Sequence, residues 1–180
     1  FRDLLDKAPG KQERLAMLVG KIDDIINSVN RQCSFDRFEE LAHTARVDGE
    51  LAPADLNRLW LQVVEEYYGP AGEVYDNYDN ISRLWAYVPH FHRVPFYVYS
   101  YAFADLVVGS VYNVYLKSPE GFEAKLLELL KAGGTKDFAV ALEPFGLDPS
   151  DPKFWTDAMD AYVGGMLSEA EELSRELGFI

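Results

Sequence analysis

The sequence predicts an all-α protein, on three observations. Apolar residues recur at the helical spacing i, i+3, i+4, i+7 along most of the chain. Glycines and prolines stand where these stripes end. Only residues 97–101 alternate with a period of two, and no second segment could pair with such a strand. With 180 residues and 48% hydrophobic content, the chain can bury a core, so we expect one helical domain over residues 1–180, with any sub-division near residues 144–152.

The first half of the chain contains four predicted helices, each defined by an apolar stripe. The stripes run from Leu15 to Val29, Phe35 to Ala42, Leu56 to Tyr67 and Ile81 to Val88. Gly49, Gly69-Pro70 and Pro89 end the second, third and fourth of them. Because Pro89 and Pro95 push the residues before them away from helical backbone, we expect His90 and His92 to lie on a stiff loop.

The second half continues the helical pattern from Ala102 onward. The first helix is expected to end near Ser118-Pro119, which would also start the next one with Ser as N-cap and Pro at the first position. Gly133-Gly134-Thr135 is expected to end that second helix and to cap a short third one. After the turn-rich residues 144–152, a last stripe runs from Phe154 to Leu167.

Charge and cysteine content exclude several classes of function. The net charge of −13 disfavours nucleic acids and anionic membrane surfaces, since binding to both depends on Lys and Arg. No apolar run is long enough to span a bilayer. The single cysteine, Cys33, allows no internal disulfide and fits a reducing, cytoplasmic location. No histidine lies near it in the sequence, so a nucleophilic role is not favoured.

The chain starts at Phe1 in a helix-like pattern without a signal peptide, so we expect a piece of a longer protein.

The segment Trp85 to Ala102 is the strongest candidate for a functional site. It combines His90 and His92 with four tyrosines, and imidazole and phenol are suited to donating hydrogen bonds to an oxyanion. If a helix begins near Phe96, Tyr97 and Tyr101 share one face while Tyr99 points elsewhere. From spacing alone, an aromatic interface whose hydroxyls bind backbone carbonyls is an equally good interpretation.

Other candidate residues carry weaker signals. Arg31 lies near a helix end and could pair with Glu39 or Glu40, which favours a structural role. His90 and His92 have no third ligand at a recognisable spacing, so no metal site is expected within this chain. His43 also lacks a ligand-spaced partner and is expected to be an ordinary surface or packed histidine.

Several motifs, in order, resemble one family. Trp85-Ala-Tyr-Val-Pro-His90-Phe, followed by Pro95-Phe-Tyr97-Val-Tyr99-Ser-Tyr101-Ala102-Phe, resembles the C-terminal signature of the oligoendopeptidase F family, thimet-oligopeptidase-like zinc metallopeptidases. Arg31-Gln32 with Phe35 and Phe38-Glu39 resembles the family's "RQ..F..FE" stretch. The resemblance runs from near Phe1 to about Leu173.

The resemblance implies a large all-α enzyme with a channel that admits short peptides. Its zinc ligands, a His-Glu-x-x-His motif and a later Glu, would lie before Phe1, in the missing N-terminal part of the same protein. This chain would then be the opposite channel wall and inactive by itself. His90 and one or more of Tyr97, Tyr99 and Tyr101 would bind the substrate backbone and the oxyanion, and His92 and Arg31 are candidates for substrate binding.

Two alternatives stay open at this point. One is a non-catalytic helical module that binds peptides or a partner protein through the same tyrosine-rich surface. The other is a degenerate family member that has lost the zinc motif.

Overall fold

Every regular element of the protein is helical in the computed structural model, which describes residues 1–180. Two 3₁₀ segments, Leu84–Tyr87 and Glu143–Phe145, and one π-helical segment, Asp160–Gly164, supplement ten α-helices. The α-helices are α1 (Arg2–Leu5), α2 (Lys11–Ser28), α3 (Asn30–Val47), α4 (Pro53–Tyr68), α5 (Pro89–Arg93), α6 (Tyr99–Lys117), α7 (Phe122–Ala132), α8 (Phe138–Leu142), α9 (Pro152–Met159) and α10 (Gly165–Glu176). None of them is both long and apolar enough to cross a membrane. The all-α prediction is confirmed.

The chain packs into two compact units. Unit 1 consists of Phe1–Ile25 and Ala104–Ile180, and unit 2 consists of Ile26–Phe103. Residues 144–152, where the sequence placed any sub-division, lie inside unit 1. The single domain over residues 1–180 stays a prediction.

The core of unit 2 is built from aromatic side chains of α3, α4 and the segment that follows. Helix α3 packs along α4, and the rings of Phe38 and Trp60 meet edge to face at a centroid distance of 5.3 Å. Phe91 of α5 joins the same cluster, with its ring 5.1 Å from that of Phe38. Such aromatic pairs add to the free energy gained from burial alone. The cluster therefore fixes α5, and with it His90, against the two long helices.

Unit 1 contains a second cluster and a close helix contact. Phe122 of α7 and Phe145 pack their rings 5.6 Å apart, with Val111 and Leu142 beside them. Elsewhere in this unit a Cβ atom added at Gly109 of α6 would lie 3.1 Å from the ring of Tyr162. Glycine at this position lets the π-helical segment approach α6 closely.

The expected cap at Ser118-Pro119 is wrong. The Ser118 N–H still donates to the Val114 carbonyl at the end of α6, over 2.9 Å. Helix α7 begins only after a further turn, behind Gly121, whose φ of 70° suits glycine and few other residues.

The cap expected at Thr135 is wrong as well. The Thr135 hydroxyl donates to the Ala132 carbonyl, 2.6 Å away, and so serves the end of α7. Asp137 caps α8 instead, because its carboxyl oxygen accepts the Ala139 N–H at 2.9 Å. The end of α7 at Gly133 agrees with the sequence.

Candidate functional site

A histidine and a tyrosine are hydrogen-bonded in unit 2. Nε2 of His90 and the hydroxyl oxygen of Tyr101 lie 3.0 Å apart, and the imidazole tautomer sets which atom donates. The two rings meet edge to face, with centroids 5.7 Å apart and planes at 89°. The geometry thus joins two of the predicted candidates into one polar pair.

Local backbone chemistry places His90. Val88 is extended and buried, and Pro89 occupies the first position of α5, where its missing N–H costs nothing. His90 and His92 therefore lie on a five-residue helix, and the predicted loop is wrong. Proline ends helices but also favours their first position, and at Pro89 the second preference applies.

The chain then turns sharply before α6. Phe96 has a φ of 58°, and it is the only residue other than glycine with a positive φ. This left-handed conformation costs an L-residue about 1–2 kcal/mol. The Phe96 N–H donates to Oε1 of Glu39 at 2.9 Å, and the Phe96 ring lies 4.6 Å from the imidazole of His43. Both partners belong to α3, so that helix holds the turn.

The tyrosines lie around the start of α6. The rings of Tyr97 and Tyr101 meet edge to face at 5.7 Å, as expected for residues on one side of the chain. Val98 between them is fully buried and anchors the helix start. Tyr97, Tyr99 and Tyr101 are 52%, 56% and 39% exposed, so each of these side chains is partly open to solvent within this chain.

His92 and Arg31 lie apart from the hydrogen-bonded pair. Nε2 of His92 is 3.2 Å from the Ala86 carbonyl, and because a carbonyl only accepts, Nε2 carries the proton. The Arg31 guanidinium lies over the ring of its neighbour Phe35, at 5.6 Å from the centroid. The substrate-binding roles of both residues stay predictions.

The ion pair considered for Arg31 is absent. Glu39 accepts a backbone N–H instead, and Glu40 pairs with Arg37 at 2.7 Å. The reason is geometric, since residues 31 and 39 are separated by eight positions along α3 while Arg37 is within one turn of Glu40.

The residues of this chain do not fit a zinc site. Nowhere do three or more His, Cys, Asp or Glu side chains converge in a way that could hold a metal ion. What the site offers is a set of imidazole and phenol groups, which can donate hydrogen bonds.

Cys33 is expected to react slowly with iodoacetamide. Burial raises the pKa of its thiol, and the nearby Asp36 carboxyl raises it further, so less of the reactive thiolate is present at about pH 8 than for an ordinary cysteine. We expect slower alkylation than for glutathione, and a rate that keeps rising to higher pH, as followed by mass spectrometry. Asp36→Asn is expected to shift that pH dependence toward lower pH. An alkylation rate and a pH profile equal to those of glutathione would contradict a raised pKa of the Cys33 thiol.

Glu39 supports the turn before α6, a contact that the sequence did not indicate. Its fifty-seven-residue separation from Phe96 leaves no local pattern, and the segment before α6 gave no sign of a left-handed turn. Its position in the "RQ..F..FE" stretch marked it as part of a motif without indicating what it contacts.

Comparisons with known proteins agree with the sequence motifs. The model of peptidase family M3 matches residues 2–161. Oligopeptidase PepF of Bacillus subtilis is 29% identical over 151 residues, which cover 83% of this chain and 22% of that protein. An oligoendopeptidase F homolog of Borreliella burgdorferi is 29% identical over 130 residues, which cover 71% of this chain and 21% of that protein.

A solved structure has the same fold. The crystal structure of a protein from Chlamydophila abortus superposes with a TM-score of 0.76 at 26% sequence identity. The match covers 96% of this chain and 28% of that one. The chain spans about a fifth of the length of the curated relatives it matches.

Proposed function

The chain belongs to peptidase family M3, and on that premise we propose that it forms the C-terminal part of a zinc-dependent oligopeptidase and binds the peptide and the oxyanion. The observation that carries the proposal is the hydrogen bond between His90 and Tyr101, at 3.0 Å, beside exposed phenol groups. The resemblance to oligoendopeptidase F and the short span of the chain relative to its relatives support a longer parent protein.

The pair can act as a relay of hydrogen bonds. If His90 donates its Nε2–H to the Tyr101 oxygen, the Tyr101 hydroxyl is free to donate outward to a substrate oxygen. Hydrogen bonds in such a chain polarise each other, so the outer donor becomes stronger. Donors that meet negative charge only as it develops lower the barrier without tightening substrate binding.

The remaining candidates have supporting roles in this proposal. Tyr97 contacts Tyr101 and limits its side-chain motion, and Tyr99 offers a further exposed hydroxyl for the peptide backbone. His92 and Arg31 extend the contact surface along the peptide. The zinc ligands belong to the preceding part of the same protein, and this chain alone is inactive. The single cysteine supports a cytoplasmic location.

A peptidase assay on the full-length protein tests the proposal. We expect hydrolysis of internally quenched short peptides, loss of that activity with a zinc chelator, and recovery on adding zinc back. A folded protein is the control substrate and should not be cut. Activity that survives complete chelation would refute zinc dependence, and peptide binding without any hydrolysis would favour the non-catalytic binding module.

A further inference from the structure

The turn at Phe96 separates the two members of the hydrogen-bonded pair. His90 lies on α5 before it, and Tyr101 lies in the first turn of α6 after it. A left-handed backbone at a large aromatic residue persists only where its surroundings hold it in place. The conformation of this one residue therefore sets where α6 begins relative to α5.

Glu39 holds that turn through the backbone. Its Oε1 accepts the Phe96 N–H at 2.9 Å, and its side chain is buried, with 2% of its surface exposed. His43, one helical turn further along α3, packs on the exposed Phe96 ring. The contact to the N–H does not depend on which side chain residue 96 carries.

The second carboxyl oxygen of Glu39 gives an independent argument. Oε2 is buried and has no hydrogen-bond partner. A buried acceptor without a partner destabilises a fold, so an apolar side chain of the same size would suit this core position better if packing were its only role. The carboxyl group is best explained by the one bond it does make, to Phe96.

We propose that Glu39 is a positioning residue, which fixes the left-handed turn at Phe96 and thereby aligns Tyr101 with His90. The inference rests on the proposed function for its effect on catalysis. The structural claim, that a hydrogen-bond acceptor at the tip of residue 39 keeps the turn ordered, does not depend on the proposed function.

Three substitutions of Glu39 in the full-length protein separate the effect of its hydrogen-bond acceptor from the effects of its size and its charge. Glu39→Gln keeps the length and an acceptor oxygen but removes the acid. Glu39→Met keeps the length and removes the acceptor. Glu39→Asp keeps the acid and shortens the side chain by one methylene. Glu40→Asp, on the same helix but exposed, is the matched control.

Hydrogen exchange of residues 94–101 and steady-state kinetics are the two readouts. We expect Glu39→Gln and Glu40→Asp to match the wild type in both. Glu39→Met and Glu39→Asp should exchange faster in this segment and lose about ten- to a hundredfold in kcat with little change in KM, as misplaced catalytic groups do. We expect Glu39→Met to do so without a lower melting temperature.

The outcomes discriminate between the claims. Unchanged exchange in a folded Glu39→Met variant would overturn the inference, as would equal losses in Glu39→Gln and Glu39→Met. If Glu39→Met fails to fold, the comparison of Glu39→Asp with Glu39→Gln decides in the same way. If Glu39→Met and Glu39→Asp exchange faster but the wild type has no peptidase activity, the role of Glu39 in the turn stands and the proposed function is refuted.

Discussion

Replacing His90 by alanine in the full-length protein is expected to lower kcat by up to about 10²-fold, and by no more than Tyr101→Phe does, while KM changes little. The substitution removes the imidazole that lies 3.0 Å from the Tyr101 hydroxyl. An interaction that strengthens only as charge develops affects kcat rather than substrate binding. Steady-state kinetics with a quenched peptide, together with a melting curve to verify folding, measure the effect.

His92→Ala provides the matched control for this prediction. His92 lies on the same short helix, but its Nε2–H donates to the Ala86 carbonyl and does not reach Tyr101. We expect a small effect that falls mainly on KM, in keeping with a substrate-binding role. Equal losses of kcat in both variants would show that they disturb α5 as a whole, and an unchanged kcat in His90→Ala would refute the relay.

The helical architecture could be predicted from sequence because it depends on local periodicity. The stripe from Leu15 to Val29 corresponds to α2, and the stripe from Leu56 to Tyr67 corresponds to α4, with its end at Gly69-Pro70. In both, a continuous apolar face gains free energy by burial, so the pattern and the structure have the same cause.

Helix starts were predicted less well than helix ends. Serine and proline each occur both at helix ends and at helix starts. Pro89 begins α5, where the sequence suggested a stop. Ser118 directly follows α6 and donates its N–H to the last turn of that helix, where the sequence suggested the start of the next one. Which of the two positions applies depends on the hydrogen-bond partners that the rest of the fold supplies.

The sequence indicated which side chains of the candidate site cluster, but not what supports them. The clustering of His90, Tyr97 and Tyr101 in one short segment identified the candidate donors, and the structure brings these three side chains together. The contact between Glu39 and Phe96 could not be predicted, because it joins distant segments through a backbone N–H that carries no side-chain signal. Which of the donors acts in catalysis stays a prediction.

Tyr101→Phe in the full-length protein is expected to lower kcat by about 10²-fold or more, because it deletes only the hydroxyl that would face the substrate oxyanion. The aromatic ring remains, and with it the edge-to-face contacts to Tyr97 and His90. Tyr97→Phe and Tyr99→Phe remove hydroxyls that have no contact with His90, and we expect smaller losses of kcat from both. Steady-state kinetics on all three variants measure the ranking.

The double variant His90→Ala/Tyr101→Phe tests whether the two residues act as a unit. If His90 works through the Tyr101 hydroxyl, the double variant should be about as slow as Tyr101→Phe alone, because residues in one hydrogen-bond chain are not additive. Losses that multiply would mean that the two donors act separately on the substrate. A Tyr101→Phe variant with wild-type kcat would contradict the role of this hydroxyl, whatever the effect of His90→Ala.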